Sequence, residues 1–305
     1  MKQRILLTGG TGLVGSYLLP ALQSKGYAIT ALSRKEGPVM EGVTWRKNEM
    51  HRFDDTFFSS LGTFDTVIHN AACLKTGRTK EERQELKEVN IDFSRSLFRW
   101  CASNGIQRIL FTSSLSFLER PLPSLIDENA AIKASHYYGE SKRAGEILLQ
   151  ETAQKANISF SIFRLSSPVP FMAEQLPDTV LKKWISLARQ GLPLTVYGNG
   201  SRTQNFIAAA DIASLYIKCI SGTHPSGIYQ AASEHAITME RLARMIASHF
   251  GVTIQLVGED RLEAERWNLS TVKARTTFEW TPRYDSETAV LELLKNIREK
   301  DRHTQ

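Results

Sequence analysis

The chain has 305 residues, 42% of them hydrophobic and 23% charged, with a formal net charge of +6. This suits a globular α/β chain, one large domain with a smaller lobe or two domains, able to bury a sizeable core. It excludes a membrane span, because no apolar run approaches about 20 residues, and a nucleic-acid track, because Lys and Arg are scattered with no aromatic-interleaved basic stripe.

The first strand, Lys2 to Thr8, runs straight into Gly9-Gly10-Thr11-Gly12-Leu13-Val14-Gly15, and a helix-like stretch follows from Ser16. Strand, G-x-x-G-x-x-G turn and helix in this order lay a dinucleotide pyrophosphate on a helix N-terminus, where unpaired amides and the helix dipole favour an anion. Gly9, Gly12, Leu13, Val14 and Gly15 are the cofactor-binding candidates of this turn. No signal peptide fits ahead of so early a strand. The three separated cysteines, Cys73, Cys101 and Cys219, suit a reducing compartment and neither a disulfide frame nor a metal site. The expected localisation is cytoplasmic.

Tyr27 to Leu32 reads as the second strand and ends at Ser33-Arg34-Lys35. An acidic residue there would bond the adenosine ribose hydroxyls of NAD. Ser33 and Arg34 offer a donor and a cation, which suits the 2′-phosphate of NADP, with NAD as the alternative. Val43 to Trp45 is a third strand, followed by a polar loop and a small helix near Phe57 to Leu61. Thr66 to Ala72 is a fourth strand entering a small-residue turn, where Asn70, Ala71 and Ala72 let the backbone approach a cofactor. His69 reads as a packed strand-end residue.

A continuous helix is expected over about Lys80 to Asn104, with Val89, Phe93, Leu97 and Cys101 on one face. Asn90 is unfavourable in mid-helix unless its side chain has a task. Arg108 to Ser114 is a fifth strand ending in the hydroxyls of Ser113 and Ser114. A helix from Tyr137 to about Ala156 follows, then a sixth strand from Phe160 to Leu165. Strands alternating with helices specify a doubly wound parallel (Rossmann) sheet over residues 1–165. Prolines break the alternation beyond Ser166, so 166–305 reads as a smaller α/β substrate lobe, with segments near 203–232 returning to the first domain.

Tyr138 and Lys142 are four residues apart and share one helix face. A nearby ammonium is expected to lower the tyrosine pKa from about 10 toward the range of an acid/base catalyst. Ser114, at a strand's C-terminal end, can donate to the substrate oxygen, and Ser113 is the neighbour that competes for this role.

The chain resembles an extended short-chain dehydrogenase/reductase of the NAD-dependent epimerase/dehydratase family that acts on nucleotide sugars. The resemblance covers nearly the whole chain. It rests on Thr8-Gly9-x-x-Gly12-x-x-Gly15, Ile68-His69-x-Ala71-Ala72, Asn90, Ser113-Ser114 and Tyr138-x-x-x-Lys142. The later segments Gly198-x-Gly200-Ser201-x-Thr203…Phe206…Asp211 and Ser270-x-x-Lys273-Ala…Trp280-x-Pro282 extend it. It implies Ser114, Tyr138 and Lys142 as a catalytic triad, Asn90 in a supporting proton-relay position, and Leu165 and Pro168 beside the nicotinamide. It implies a small-molecule substrate, a nucleotide sugar, touched by Ser114, Tyr138 and Ser167. It leaves open a homodimer through the helices at about 80–104 and 138–156.

Departures narrow the expectation. Dehydratases of the family place an Asp-Glu pair after the catalytic hydroxyl, where this chain has Leu115-Ser116. Ser167 and Gln204 stand where the family often has Asn and Arg for the substrate diphosphate, and Arg202 is the candidate to supply the missing cation. Ser33-Arg34 favours an NADPH-dependent reduction of a sugar ketone, and the resemblance implies a nucleotide-linked 4-keto-6-deoxy sugar as the substrate. The alternatives are a 4-epimerase with retained NAD and a non-catalytic NADP-binding sensor or scaffold.

Overall fold

Ile5 and Leu7 of β1 (Arg4–Thr8) enter one apolar core and Leu6 enters another. A strand that is apolar on both sides must lie inside a sheet covered on two faces. The computed structural model describes residues 2–35, 37–47 and 55–304. The chain continues through α1 (Leu13–Ser24), β2 (Ala28–Ser33), β3 (Val43–Lys47), α2 (Asp55–Ser59), β4 (Thr66–His69), α3 (Lys80–Leu86), α4 (Phe93–Ser103), β5 (Arg108–Ser114), α5 (Tyr137–Ala156) and β6 (Ser159–Leu165). The second half comprises β7 (Ser167–Val169), α6 (Val180–Arg189), β8 (Leu194–Tyr197), β9 (Thr203–Gln204), β10 (Phe206–Ala208), α7 (Ala209–Ile220), β11 (Gly227–Ala231), β12 (Ile237–Thr238), α8 (Met239–Phe250), β13 (Ile254–Val257), α9 (Val272–Phe278) and α10 (Ser286–Thr304). The polar loop expected after the third strand falls largely on 48–54, outside the described residues.

Seven parallel strands form the main sheet in the order β3-β2-β1-β4-β5-β6-β11. The strand order reverses between β1 and β4, and a crevice opens there at the carboxyl ends of the strands, where open α/β sheets take their ligands. Helices α1, α7 and α9 cover one face, and α4 and α5 the other. A third core, around Leu181, Trp184, Leu242, Ile246 and Leu293, lies off the main sheet and joins α6, α8 and α10. Asp211, buried at the start of α7, accepts from the backbone N–H groups of Arg283 and Tyr284 and fixes the approach to α10. Among the described residues no helix is long and apolar enough to cross a membrane.

The helix expected to run unbroken over about 80–104 is interrupted. Between α3 and α4 the residues Lys87–Asp92 form a π-helical stretch. Val89, Phe93, Leu97 and Cys101 are all buried as expected, but they advance in steps of four against a period of about 3.6 residues. The wider π turn spans the first of these steps, between Val89 and Phe93, and the other two lie on α4.

Candidate active site

The glycine turn is built by close approach. Gly9 has φ +72°, and a Cβ on it would lie 2.8 Å from the Ala71 backbone. A Cβ on Gly15 would lie 2.2 Å from the Gly9 carbonyl oxygen. Gly12 precedes α1 with no side-chain cap and no acid in the first turn, so the first amides of α1 stay available to an anion. Asn70 braces the turn: Nδ2 donates to Gly9 O at 3.2 Å, and Oδ1 accepts from Thr112 Oγ1 at 3.0 Å. These features fit a dinucleotide pyrophosphate.

A cleft of about 1840 Å³ opens from this turn. Of the residues singled out from sequence, Gly9, Gly12, Leu13, Val14, Ser33, Arg34, Asn70, Ala71, Ala72, Ser113, Ser114, Tyr138, Lys142, Leu165, Ser167 and Pro168 line it. Gly15 does not line it; its role is to let α1 pack against the turn. At the end of β2, Lys35 joins Arg34 in the lining, and so does Lys47, a cation that sequence reasoning missed. Ser33 is buried there, its hydroxyl bonded to Thr11 Oγ1 at 2.9 Å and accepting from Lys35 N at 3.2 Å.

Ser114 ends β5, and Tyr138 sits in the first turn of α5, which His136 caps by accepting from Gly139 N at 3.0 Å. Ser114 Oγ accepts from Ser116 N at 3.1 Å, and both the Ser114 hydroxyl and the Tyr138 phenol line the cleft. Lys142, 3% exposed one turn further on, holds its Nζ 4.4 Å from the centre of the Phe111 ring. The expected lowering of the Tyr138 pKa is not found: burial pushes the phenol up to about 12 and outweighs the opposing influence of the nearby Ser114 hydroxyl. Burial also acts on Lys142, pushing its ammonium down to about 7 against the pull of Glu146. Desolvation penalises whichever form is charged, so it raises the phenol and lowers the amine.

Two expectations need correcting. Arg202 does not line the cleft; its Nε donates to Asp260 Oδ2 at 2.8 Å, so its charge is already paired. Gln204 donates to Ser167 Oγ at 2.7 Å, leaving a neutral pair at that position. Asn90 is buried behind the cleft wall, with both ends of its amide engaged. Oδ1 accepts from Cys73 N at 2.7 Å, and Nδ2 donates to Cys73 O at 3.0 Å and Ser141 Oγ at 2.9 Å. It staples the loop after β4 to the π turn rather than facing the cleft. His69 is fully buried between Thr8 and Ser94, and burial with the nearby Lys142 charge pushes it down to about 3. Glu146 and Arg164, which lie beneath the site, were missed; Glu146 could have been found as the acid four residues after Lys142.

The sequence profile of the NAD dependent epimerase/dehydratase family matches residues 5–232. The chain is 23% identical over 276 residues to dTDP-D-glucose 4,6-dehydratase of Mus musculus, covering 86% of this chain and 75% of that protein. It is 26% identical over 265 residues to UDP-N-acetyl-alpha-D-glucosaminuronate decarboxylase of Bacillus cytotoxicus, covering 81% and 80%. Among solved structures it is similar to MoeE5 in complex with UDP-glucuronic acid and NAD, with a TM-score of 0.85 at 20% identity over 97% of this chain and 99% of that one. The UDP-N-acetylglucosamine 4-epimerase from Bacillus cereus gives a TM-score of 0.81 at 22% identity, with 97% of each chain covered.

Proposed function

The chain belongs to the NAD dependent epimerase/dehydratase family, and from that premise we propose that it is an NADPH-dependent ketoreductase of a nucleotide-linked 4-keto-6-deoxy sugar. The observation that carries the reading is the convergence of Ser114, Tyr138 and Lys142 on one cleft with the glycine turn. A bound nicotinamide supplies the hydride. Ser114 donates a hydrogen bond to the ketone oxygen, and Tyr138 delivers its phenolic proton to that oxygen as the carbonyl becomes an alcohol. Lys142, buried and cationic, stabilises the phenolate left behind. Leu115 and Ser116 follow Ser114 and supply no acid pair for eliminating water. Arg34, Lys35 and Lys47 favour a 2′-phosphate. Residues 1–165 form the cofactor part of this reading and 166–305 the substrate part, in a cytoplasmic enzyme.

A 4-epimerase with retained NAD is the second reading, because the structural neighbours include epimerases crystallised with NAD. Purified protein given NADPH and a UDP- or dTDP-linked 4-keto-6-deoxy sugar is expected to consume one NADPH per sugar, followed by the loss of near-ultraviolet absorbance. Stoichiometric NAD that copurifies, with no consumption of NADPH, would sink the reductase reading in favour of the epimerase. Tight NADPH binding with no turnover of any ketosugar would favour a sensor or scaffold.

A further inference from the structure

Beneath the cleft lies an ionic cluster that the proposed chemistry leaves unused. Arg164, 1% exposed on β6, presents a guanidinium fork to Glu146 of α5, with Nε donating to Oε1 and Nη2 to Oε2, both at 2.9 Å. Glu146 is fully buried and also accepts from Ser113 Oγ at 2.7 Å and Arg143 Nη1 at 2.9 Å. Four donors converge on its two oxygens and fix the carboxylate in place. Stability alone does not call for such a pair, since well-packed apolar side chains often replace a buried ion pair at no loss.

Glu146 lies one helical turn after Lys142 on the same face of α5. Among the described residues no protein group hydrogen-bonds Lys142 Nζ, which faces the Phe111 ring and the cleft. The other titratable groups near it offer no counter-charge. His69 on β4 is buried and neutral, Tyr138 on α5 keeps its proton, and Cys73, beyond Tyr138, is pushed up by burial. Arg143 and Arg164 are themselves cations.

We propose that Glu146 is a positioning residue for the reaction: its locked carboxylate is the counter-charge that keeps the Lys142 ammonium protonated at the cleft floor. Burial drives Lys142 toward the neutral amine, and Glu146 is the charge that opposes this. The same carboxylate ties α5 to the end of β5 through Ser113 and to β6 through Arg164, so charge and alignment come from one group. The inference rests on reading Lys142 as the cation of the reaction, but it concerns a property measurable without turnover.

The test is a titration of the Lys142 side chain by nuclear magnetic resonance in protein carrying carbon-13-labelled lysine, with the signal assigned by its loss in Lys142→Arg. In Glu146→Gln, which keeps the size and much of the hydrogen bonding, the proton affinity of Lys142 falls by about tenfold or more. The double variant Glu146→Gln/Arg164→Met removes the stranded guanidinium, and the affinity falls there as well. A Lys142 titration unchanged in either folded variant overturns the proposal, because a purely structural Glu146 would lower the melting temperature and leave the titration where it was. A titration that moves as expected while no ketosugar is reduced upholds the role of Glu146 and sinks the proposed substrate instead.

Discussion

Ser113 and Ser114 are neighbours on β5 whose hydroxyls have different partners: Ser113 Oγ donates to buried Glu146 at 2.7 Å, and Ser114 Oγ accepts from Ser116 N at 3.1 Å and lines the cleft with Tyr138. Ser114→Ala is therefore expected to slow hydride transfer by about a hundredfold to a thousandfold, the usual loss for one oxyanion donor, with little change in cofactor affinity. Ser113→Ala registers first in stability, at about 1 kcal/mol for one lost hydrogen bond. Single-turnover kinetics and urea unfolding of the two variants separate these outcomes; equal effects on transfer would remove the distinction.

Tyr138 is held up at about 12 and Lys142 down at about 7, so the first proton lost on raising the pH is that of Lys142. The ammonium is present below that value and lost above it. The profile of kcat/KM, which reports the free enzyme, is expected to fall through an alkaline limb near pH 7. In Lys142→Arg, whose guanidinium stays charged, the residual activity loses that limb. A limb of unchanged position in the variant would assign it elsewhere.

His69 is buried neutral, with its pKa lowered from 6.5 to about 3. Between these values the unfolded chain binds a proton that the folded chain does not, so stability rises with pH across this window and is lost as the pH falls from 6.5 toward 3. The slope from this one group is about 1.4 kcal/mol per pH unit. Urea unfolding at a series of pH values is expected to show it, and His69→Gln to remove it whatever the variant's baseline stability. An identical slope in the variant would clear His69 of acid sensitivity.

The 2.2 Å approach to the Gly9 carbonyl at Gly15 leaves no room for a methyl group. Gly15→Ala must push α1 off the turn, at a cost of about 1–3 kcal/mol for an overpacked site. Cofactor affinity is expected to fall by about tenfold or more as the first amides of α1 lose their aim. Fluorescence titration with NADPH and NADH checks this, and wild-type affinity would show that the turn tolerates the shift.

Arg34 faces the cleft at the end of β2. Arg34→Asp exchanges a cation for an acid where a 2′-phosphate or a ribose hydroxyl would lie, so the preference should move from NADPH toward NADH by about tenfold or more. Comparison of the two cofactors in wild type and variant measures it. An unmoved ratio would take away the basis for choosing NADP.

The glycine turn, the alternation of strands with helices and the spacing of Tyr138 and Lys142 were legible because each is a local pattern: a turn, an alternation, a helix face. What escaped depends on partners distant in the chain. Arg202 reads as a free cation until Asp260, far along the chain, arrives beside it. Arg164 reads as a strand residue until Glu146 meets it in the core. The Tyr138 pKa was expected to follow the nearest charge, but burial, which no spacing reports, has the larger effect. The π turn hides because steps of four and of 3.6 residues look alike over two turns.

The route of the chain between its cores has a consequence for how the molecule comes apart. It leaves the sheet cores after Leu165, returns with α7 and β11, leaves again for α8, comes back with α9, whose Phe278 packs beside Tyr229, and ends in α10 against Leu242 and its neighbours. The smaller core is therefore threaded from several directions and cannot melt as a severed piece without pulling α7 and α9 from the sheet. Heat or urea should thus meet one cooperative unit, with fluorescence and circular dichroism losing their signals together.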